Sequence, residues 1–187
     1  DSVRSPVDMT APIPEPPFWG QREIEVDMDE LYHHLDTHVL YKLHWGGRGM
    51  SKDEYTKLLR EDFIPRLERM WAEQTYLHPR VKLGYFPCYS VGNEIWAIDP
   101  EDRDKPPAEA RVLEKFVAPR QPKHDRICLA DFYRPKEMVE ETGEYDVVGL
   151  QVVTVGNEVT ELLDQLEVDG EFAEQLFTHG LGVQSAE

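Results

Sequence analysis

The hydrophobic period changes twice along the chain, and this constrains the fold more than any other feature. From Leu31 to Trp71, apolar residues recur every three or four positions, which predicts helices. Alternating apolar residues then predict strands, and helical spacing returns after Asn157. Most of the predicted strands follow one another without a crossover helix, which parallel strands need. The order predicts an α+β domain with a mainly antiparallel, twisted β-sheet and helices before and after it.

The individual elements carry local signals as well. A helix is predicted over residues 29–43, ending at a glycine-rich stretch. Ser51 and Glu54 predict a capping box for the next helix, in which Pro65 should cause a kink or break near Ile64. A tight turn is predicted at Gly92-Asn93. The predicted strands are residues 22–26, 81–87, 94–98, 112–117, 127–133 and 147–155.

Residues 1–17 contain five prolines, which disfavour both helix and central strand. A segment of this kind is extended and semi-stiff. We therefore predict a proline-rich interdomain linker at 1–17 and one folded domain at 18–187. Since the chain begins with Asp1 and not with Met, we expect it to be a piece of a longer polypeptide, with a processed terminus as the alternative.

Composition excludes several classes of function. The formal net charge of −17 repels phosphate backbones, so a nucleic acid partner is not expected. No apolar run approaches the length of a membrane span, and no secretory signal is visible. The two cysteines, Cys88 and Cys128, are too few for a disulfide framework and suit a reducing compartment. We expect a cytoplasmic protein without a membrane partner.

Common catalytic and metal motifs are missing. The chain has no GxGxxG, no GxxxxGK[ST] and no GxSxG sequence. His34, His38 and His44 lie close in sequence but lack the HExxH pattern, so no metal site is predicted. Asp36 falls on or near the apolar face of its predicted helix. It is either a helix-surface acid or a carboxylate that meets a cationic ligand, and the pattern alone does not decide between these.

A set of short motifs resembles the activation domain of cobalamin-dependent methionine synthases, and the motifs follow one another in the same order as in that family. The set covers essentially the whole chain: Pro-Pro-Phe-Trp-Gly at 16–20, Leu-Asp-Thr-His at 35–38, Gly-Tyr-Phe-Pro at 84–87, Cys-Leu-Ala-Asp-Phe at 128–132, Asp-Val-Val-Gly at 146–149 with Val-Thr-Val-Gly at 153–156, and the helix at 170–187.

The resemblance implies an S-adenosylmethionine (AdoMet) site. Asp36 matches the family's AdoMet-contacting aspartate, and Glu187 matches a glutamate near the same ligand. The family's later Arg-Pro-Ala-x-Gly-Tyr-Pro stretch is absent, so we expect the C-terminal part of the domain to be missing. No catalytic residue and no metal ligand are expected, because the chemistry belongs to the cofactors.

The resemblance also implies a function, which is reductive reactivation of methionine synthase (5-methyltetrahydrofolate-homocysteine methyltransferase). AdoMet re-methylates cob(II)alamin after one-electron reduction by flavodoxin or an equivalent reductase. Cobalamin is held by a neighbouring domain of the same polypeptide. The candidates for a basic patch facing the reductase are Arg111, Lys115, Arg120, Lys123 and Arg126, and the alternative is that they form a solvated loop face.

Three alternatives remain open at this point. The first is a non-enzymatic docking or capping domain on a corrinoid protein. The second is a free-standing corrinoid reactivator. The third is a metal hydrolase.

Overall fold

The computed structural model describes residues 4–123 and 125–187. The first three residues of the predicted linker, and His124 in a predicted polar loop, lie outside the described residues. Backbone contacts divide the chain into two compact units. Unit 1 contains the residues up to Arg22 together with Leu83–Gln151, and unit 2 contains Glu23–Lys82 together with Val152–Glu187.

Five strands form one sheet in the order β1-β2-β3-β4, with β5 also paired to β2. The β2–β3 and β3–β4 pairs are antiparallel, as predicted. Val91 pairs with Glu94 across the predicted turn, in which Gly92 has a φ of 59°. The strands are β1 (Gly20–Ile24), β2 (Arg80–Val91), β3 (Glu94–Ile98), β4 (Val112–Val117) and β5 (Asp146–Thr154).

Unit 1 has a hydrophobic cluster on each face of its sheet. Successive residues of a strand point to opposite faces. Accordingly, Cys88 packs in one cluster with Cys128 and Val148, and Tyr89 packs in the other with Val139. Val139 belongs to a helix that the sequence analysis did not predict, α5 (Lys136–Thr142).

Unit 2 is built mainly from helices around an aromatic core. Tyr41, Trp45, Phe63 and Phe177 contact one another in this core, with ring centroids 5.2–6.3 Å apart. Leu40, Leu67 and Leu181 are buried around them. The helices are α1 (Met28–His34), α2 (Thr37–Val39), α3 (Lys52–Leu58), α4 (Ile64–Glu73), α6 (Glu158–Val168) and α7 (Phe172–Ala186).

Two local predictions in unit 2 are confirmed. Ser51 and Glu54 form the capping box at the start of α3. The helix is also irregular just before Pro65, because a π-helical turn, Leu59–Phe63, joins α3 to α4 without interrupting the helical backbone. Proline has no N–H and its ring crowds the preceding turn. The wider turn, in which Ile64 N–H donates to the Leu59 carbonyl, accommodates this.

Two other predictions are wrong. The helix predicted over 29–43 is interrupted at Leu35, whose ψ of 125° is not helical, and it continues as α2 and a second π-helical turn, Leu40–His44. The strand predicted over 127–133 is instead a 3₁₀ turn, Leu129–Phe132. The run of apolar residues misled because Leu129 and Phe132 are exposed whereas Asp131 is completely buried.

Within residues 4–123 and 125–187, no helix has both the length and the apolar character needed to cross a membrane.

Candidate functional site

Asp36 begins a helix instead of lying inside one. Its Oδ1 accepts a hydrogen bond from Val39 N–H at 3.0 Å, so it is the N-cap of α2, and its side chain is exposed. The expected position on an apolar helix face is therefore wrong. Aspartate competes with the helix backbone for N–H groups and so favours caps, which explains the interruption. The cap leaves a second carboxylate oxygen that can accept from a ligand.

The chain around Asp36 is held from both sides by buried residues. Leu35 is 8% exposed and Leu40 is fully buried. After Leu40 the π-helical turn closes with Trp45 N–H donating to the Leu40 carbonyl at 2.8 Å. Burial within this turn raises the pKa of Tyr41 to about 12, so its hydroxyl stays neutral at physiological pH. The packing fixes the Asp36 cap in place.

Helix α7 packs directly against this turn. Trp45 Nε1 donates to the Phe177 carbonyl at 3.1 Å, and the two rings meet edge to face at 5.2 Å. Gly180 makes the close approach possible, since a Cβ at this position would lie 2.9 Å from Trp45 Cδ1. The segment that carries Asp36 and the helix that leads to Glu187 are therefore parts of one packed arrangement within unit 2.

Glu187 directly follows α7. Its N–H donates to the Val183 carbonyl at 3.2 Å, and its side chain is exposed. One turn earlier, Gln184 is buried, and its Nε2 lies 3.5 Å from Glu187 Oε2. The Oε1 of Gln184 has no hydrogen-bond partner within the described part of the chain. The C-terminal end of α7 thus presents an exposed carboxylate beside a buried amide.

Two cavities of unit 2 lie away from both residues. A groove of about 810 Å³ runs beside α3 and contains Glu54, Glu61 and Arg66 in its lining. A smaller cavity of about 340 Å³ includes His78, Arg80 and Glu158. Neither is lined by Asp36 or Glu187. Asp36 and Glu187 therefore lie on elements that pack together, but neither residue lines either of these cavities.

The histidines considered for a metal site have other surroundings. His34 Nδ1 lies 2.8 Å from the Glu30 carbonyl, and His38 is exposed at the end of α2. No group of three or more potential metal ligands occurs in residues 4–123 and 125–187.

Unit 1 contains a buried polar cluster that the sequence analysis did not identify. Arg120 donates to both carboxylate oxygens of Asp131, at 2.6 and 2.8 Å. This makes Arg120 unsuitable for the basic patch proposed from the sequence, because only 7% of its side chain is exposed. The partners are eleven residues apart in sequence, and no local pattern pointed to them.

Arg4 completes this polar cluster. Its Nη1 donates to Ser90 Oγ at 2.9 Å, and its Nη2 lies 2.8 Å from the Tyr133 carbonyl and 3.1 Å from that of Asp131. The backbone N–H of Ser5 donates to Asp131 Oδ2 at 2.8 Å. Part of the proline-rich segment is therefore attached to unit 1.

Comparison with known proteins assigns the chain to a family. Residues 48–184 match the family described as "Vitamin B12 dependent methionine synthase, activation domain". Methionine synthases of Mycobacterium tuberculosis (strain ATCC 25618 / H37Rv) and Mycobacterium leprae (strain TN) are 33% and 34% identical over 98% of this chain. The chain spans only 16% of the length of either relative.

A solved structure has the same fold. A crystal structure of the MetH reactivation domain bound to AdoHcy superposes with a TM-score of 0.73 at 24% sequence identity, covering 97% of this chain and 56% of the other. Its agreement confirms the predicted fold class, an activation-domain-like α+β fold with a mainly antiparallel sheet. The family match over residues 48–184, which is more than half of the chain, shows that the chain belongs to the family of the vitamin B12-dependent methionine synthase activation domain.

Proposed function

We propose that this chain is part of the reactivation module of a cobalamin-dependent methionine synthase and contributes one side of its AdoMet site. The family match over residues 48–184 carries the proposal. The superposed reactivation domain supports it, because that protein was solved with AdoHcy, which is AdoMet without its transferable methyl group. In the native enzyme AdoMet supplies a methyl group to cobalamin, which a neighbouring domain of the same polypeptide holds.

Asp36 is proposed to meet the positive charge of AdoMet. The ligand carries a sulfonium and an ammonium group, and an exposed carboxylate at a fixed position attracts either. Because Oδ1 caps α2, the cap orients the carboxylate, and the ligand would use the other oxygen. The role is electrostatic positioning, which needs neither a general base nor a nucleophile.

Glu187 is proposed to contribute a second carboxylate near the same ligand. The support is the packing of α7 on the turn that follows Asp36, through Trp45 and Phe177. The rest of the site would come from the family's Arg-Pro-Ala-x-Gly-Tyr-Pro stretch in the longer polypeptide. The superposed chain is long enough to include such a segment, since this chain covers only 56% of it.

The remaining partners follow from the proposed reaction. Reduction of cobalamin needs one electron from flavodoxin or an equivalent reductase, and the enzyme would work in the cytoplasm. A docking or capping domain that does not bind AdoMet is the second candidate. One observation favours it, which is that neither Asp36 nor Glu187 lines the two cavities described above.

A pair of matched substitutions tests the role of Asp36. Asp36→Asn removes the charge but retains a side chain that can cap a helix. Asp27→Asn makes the same change at the N-cap of α1, where Asp27 Oδ1 accepts from Asp29 N–H. In the full-length polypeptide, calorimetry should show AdoMet binding weakened about tenfold by Asp36→Asn and unchanged by Asp27→Asn. Equal affinities for the two variants would remove Asp36 from the site.

A further inference from the structure

One cavity of unit 2 brings opposite charges together in a small polar space. Its volume is about 340 Å³, which is in the range of pockets that bind small molecules. His78 and Arg80 line it at the start of β2, and the rest of the lining comes from residues 154–158, where β5 ends and α6 begins. Because neither Asp36 nor Glu187 lines it, the cavity is separate from the proposed AdoMet residues.

Backbone geometry fixes the two segments that line this cavity. His78 N–H donates to the Val155 carbonyl at 2.8 Å, which joins one segment to the other. Gly156 has a φ of 96°, and its N–H donates to Thr154 Oγ1 at 3.2 Å. A Cβ at Gly156 would lie 2.6 Å from Glu158 Oε2 and 3.1 Å from His78 Cβ. The glycine therefore leaves the space in which the Glu158 carboxylate lies.

The charged side chains of this cavity do not neutralise each other. Arg80 is cationic and Glu158 is anionic, and both line the cavity. Within residues 4–123 and 125–187, neither of them takes part in an ion pair. Asn157 also lines the cavity, and its side chain makes no capping hydrogen bond at the start of α6. The cavity thus offers one positive group, one negative group and an amide to a ligand.

We propose that this cavity binds a free α-amino acid through its zwitterionic head group. The carboxylate of the ligand accepts from the Arg80 guanidinium, whose planar fork matches a carboxylate. The ammonium group donates to Glu158, and the Asn157 amide can pair with either group. A phosphate ester suits the cavity less, because the Glu158 carboxylate repels it. An apolar ligand would leave both charged side chains without a partner.

Titration of the chain with L-methionine, followed by ligand-observed NMR, tests the site. Arg80→Gln and Glu158→Gln should each weaken binding about tenfold, because each removes a charge-assisted hydrogen bond. The matched controls are Lys82→Gln, two residues further along β2, and Glu161→Gln, in the first turn of α6, since neither residue lines the cavity. Both controls should stay within about twofold of the unsubstituted protein. Absence of binding, or equal losses in variants and controls, would overturn the proposal.

Two analogues of methionine test recognition of each end of the head group. Methylthiopropylamine lacks the carboxylate, and methylthiobutanoate lacks the ammonium group. Each analogue should bind the unsubstituted protein about tenfold more weakly than methionine does, because one charged side chain of the cavity loses its partner. An analogue that binds as tightly as methionine would show that the cavity does not recognise a zwitterion.

Asp36→Asn separates this cavity from the proposed AdoMet site. Since Asp36 does not line the cavity, this variant should bind methionine as tightly as the unsubstituted protein does. Loss of methionine binding in Asp36→Asn, with unchanged binding in Arg80→Gln, would move the amino acid to Asp36 and overturn the proposal. Methionine binding that depends on Arg80 and Glu158, in a protein whose full-length form does not bind AdoMet, would refute only the proposed function.

Discussion

Arg120 and Asp131 form a bidentate ion pair inside unit 1, with Arg120 Nη1 2.6 Å from Asp131 Oδ2 and Nη2 2.8 Å from Oδ1. Asp131 has no exposed surface. The hydrogen bonds from Arg120 hold the pKa of this carboxyl well below its ordinary value of 3.8, outweighing burial, which acts in the opposite direction. The pair, together with the hydrogen bond from Ser5, stabilises the Leu129–Phe132 turn.

Removing this carboxylate should destabilise the protein strongly. Asp131→Asn leaves the Arg120 guanidinium buried without its counter-ion, which costs about 3 kcal/mol in free energy of unfolding. Urea unfolding at pH 7 measures the change. Asp104→Asn, at a carboxylate that is 86% exposed, is the control and should stay within about 0.5 kcal/mol of the unsubstituted protein. Equal effects of the two substitutions would contradict the buried pair.

The same ion pair predicts a pH dependence. The pKa of Asp131 is lower in the folded state than in the unfolded state, so its contribution is complete above the ordinary pKa near 3.8. It is lost as the pH falls below that value toward the lowered pKa. Between pH 5 and pH 3, the melting temperature should fall more for the unsubstituted protein than for Asp131→Asn. Parallel pH profiles would show that the pKa of Asp131 is not lowered.

Gly180 should resist substitution although it lies in a helix. Glycine to alanine in a helix ordinarily stabilises by roughly 0.5–1 kcal/mol. At position 180 a Cβ would lie 2.8 Å from His44 Cβ and 2.9 Å from Trp45 Cδ1, so Gly180→Ala should instead destabilise by about 1–3 kcal/mol. Gly182→Ala is the control and should be less destabilising than Gly180→Ala, since its Cβ would crowd only the end of one side chain, Val159 Cγ1 at 3.2 Å. A stabilising Gly180→Ala would contradict the packing of α7 on Trp45.

Tyr145 should ionise late in an alkaline titration. Burial raises its pKa to about 12, and its hydroxyl donates to the Lys105 carbonyl at 2.8 Å. The pKa of Tyr145 is higher in the folded state than in the unfolded state. The stabilisation that its neutral hydroxyl contributes is therefore complete below about pH 10 and is lost as the pH rises through 12. Absorbance at 295 nm should show that Tyr145→Phe removes amplitude near pH 12. Loss of amplitude near pH 10 would mean that Tyr145 is solvated.

Elements with strong local signals were predictable from the sequence. The capping box of Ser51 and Glu54, the irregular helical turn before Pro65 and the turn at Gly92 each depend on neighbours within five residues. Helix α5 also carried such signals and could have been found. Pro135 precedes its first residue, and Gly143 ends it with a φ of 73°.

Features that depend on distant partners were not predictable. The run of apolar residues at 127–133 is typical of a strand, but the buried Asp131 in its middle is bound by Arg120 and Ser5, and Ser5 lies 126 residues away. The π-helical turn that holds Trp45 depends on contacts with Phe177, 132 residues further along. Resemblance indicated Asp36 as a ligand residue, but only the structure places it as the cap of α2.

AdoMet calorimetry on two forms of the protein tests the central claim most directly. One form is the chain of 187 residues, and the other is extended through the native residues that follow Glu187. If this chain carries one side of a divided site, the extended form binds AdoMet and the 187-residue form binds it much more weakly or not at all. Absence of binding by the extended form would contradict the claim and favour a docking domain.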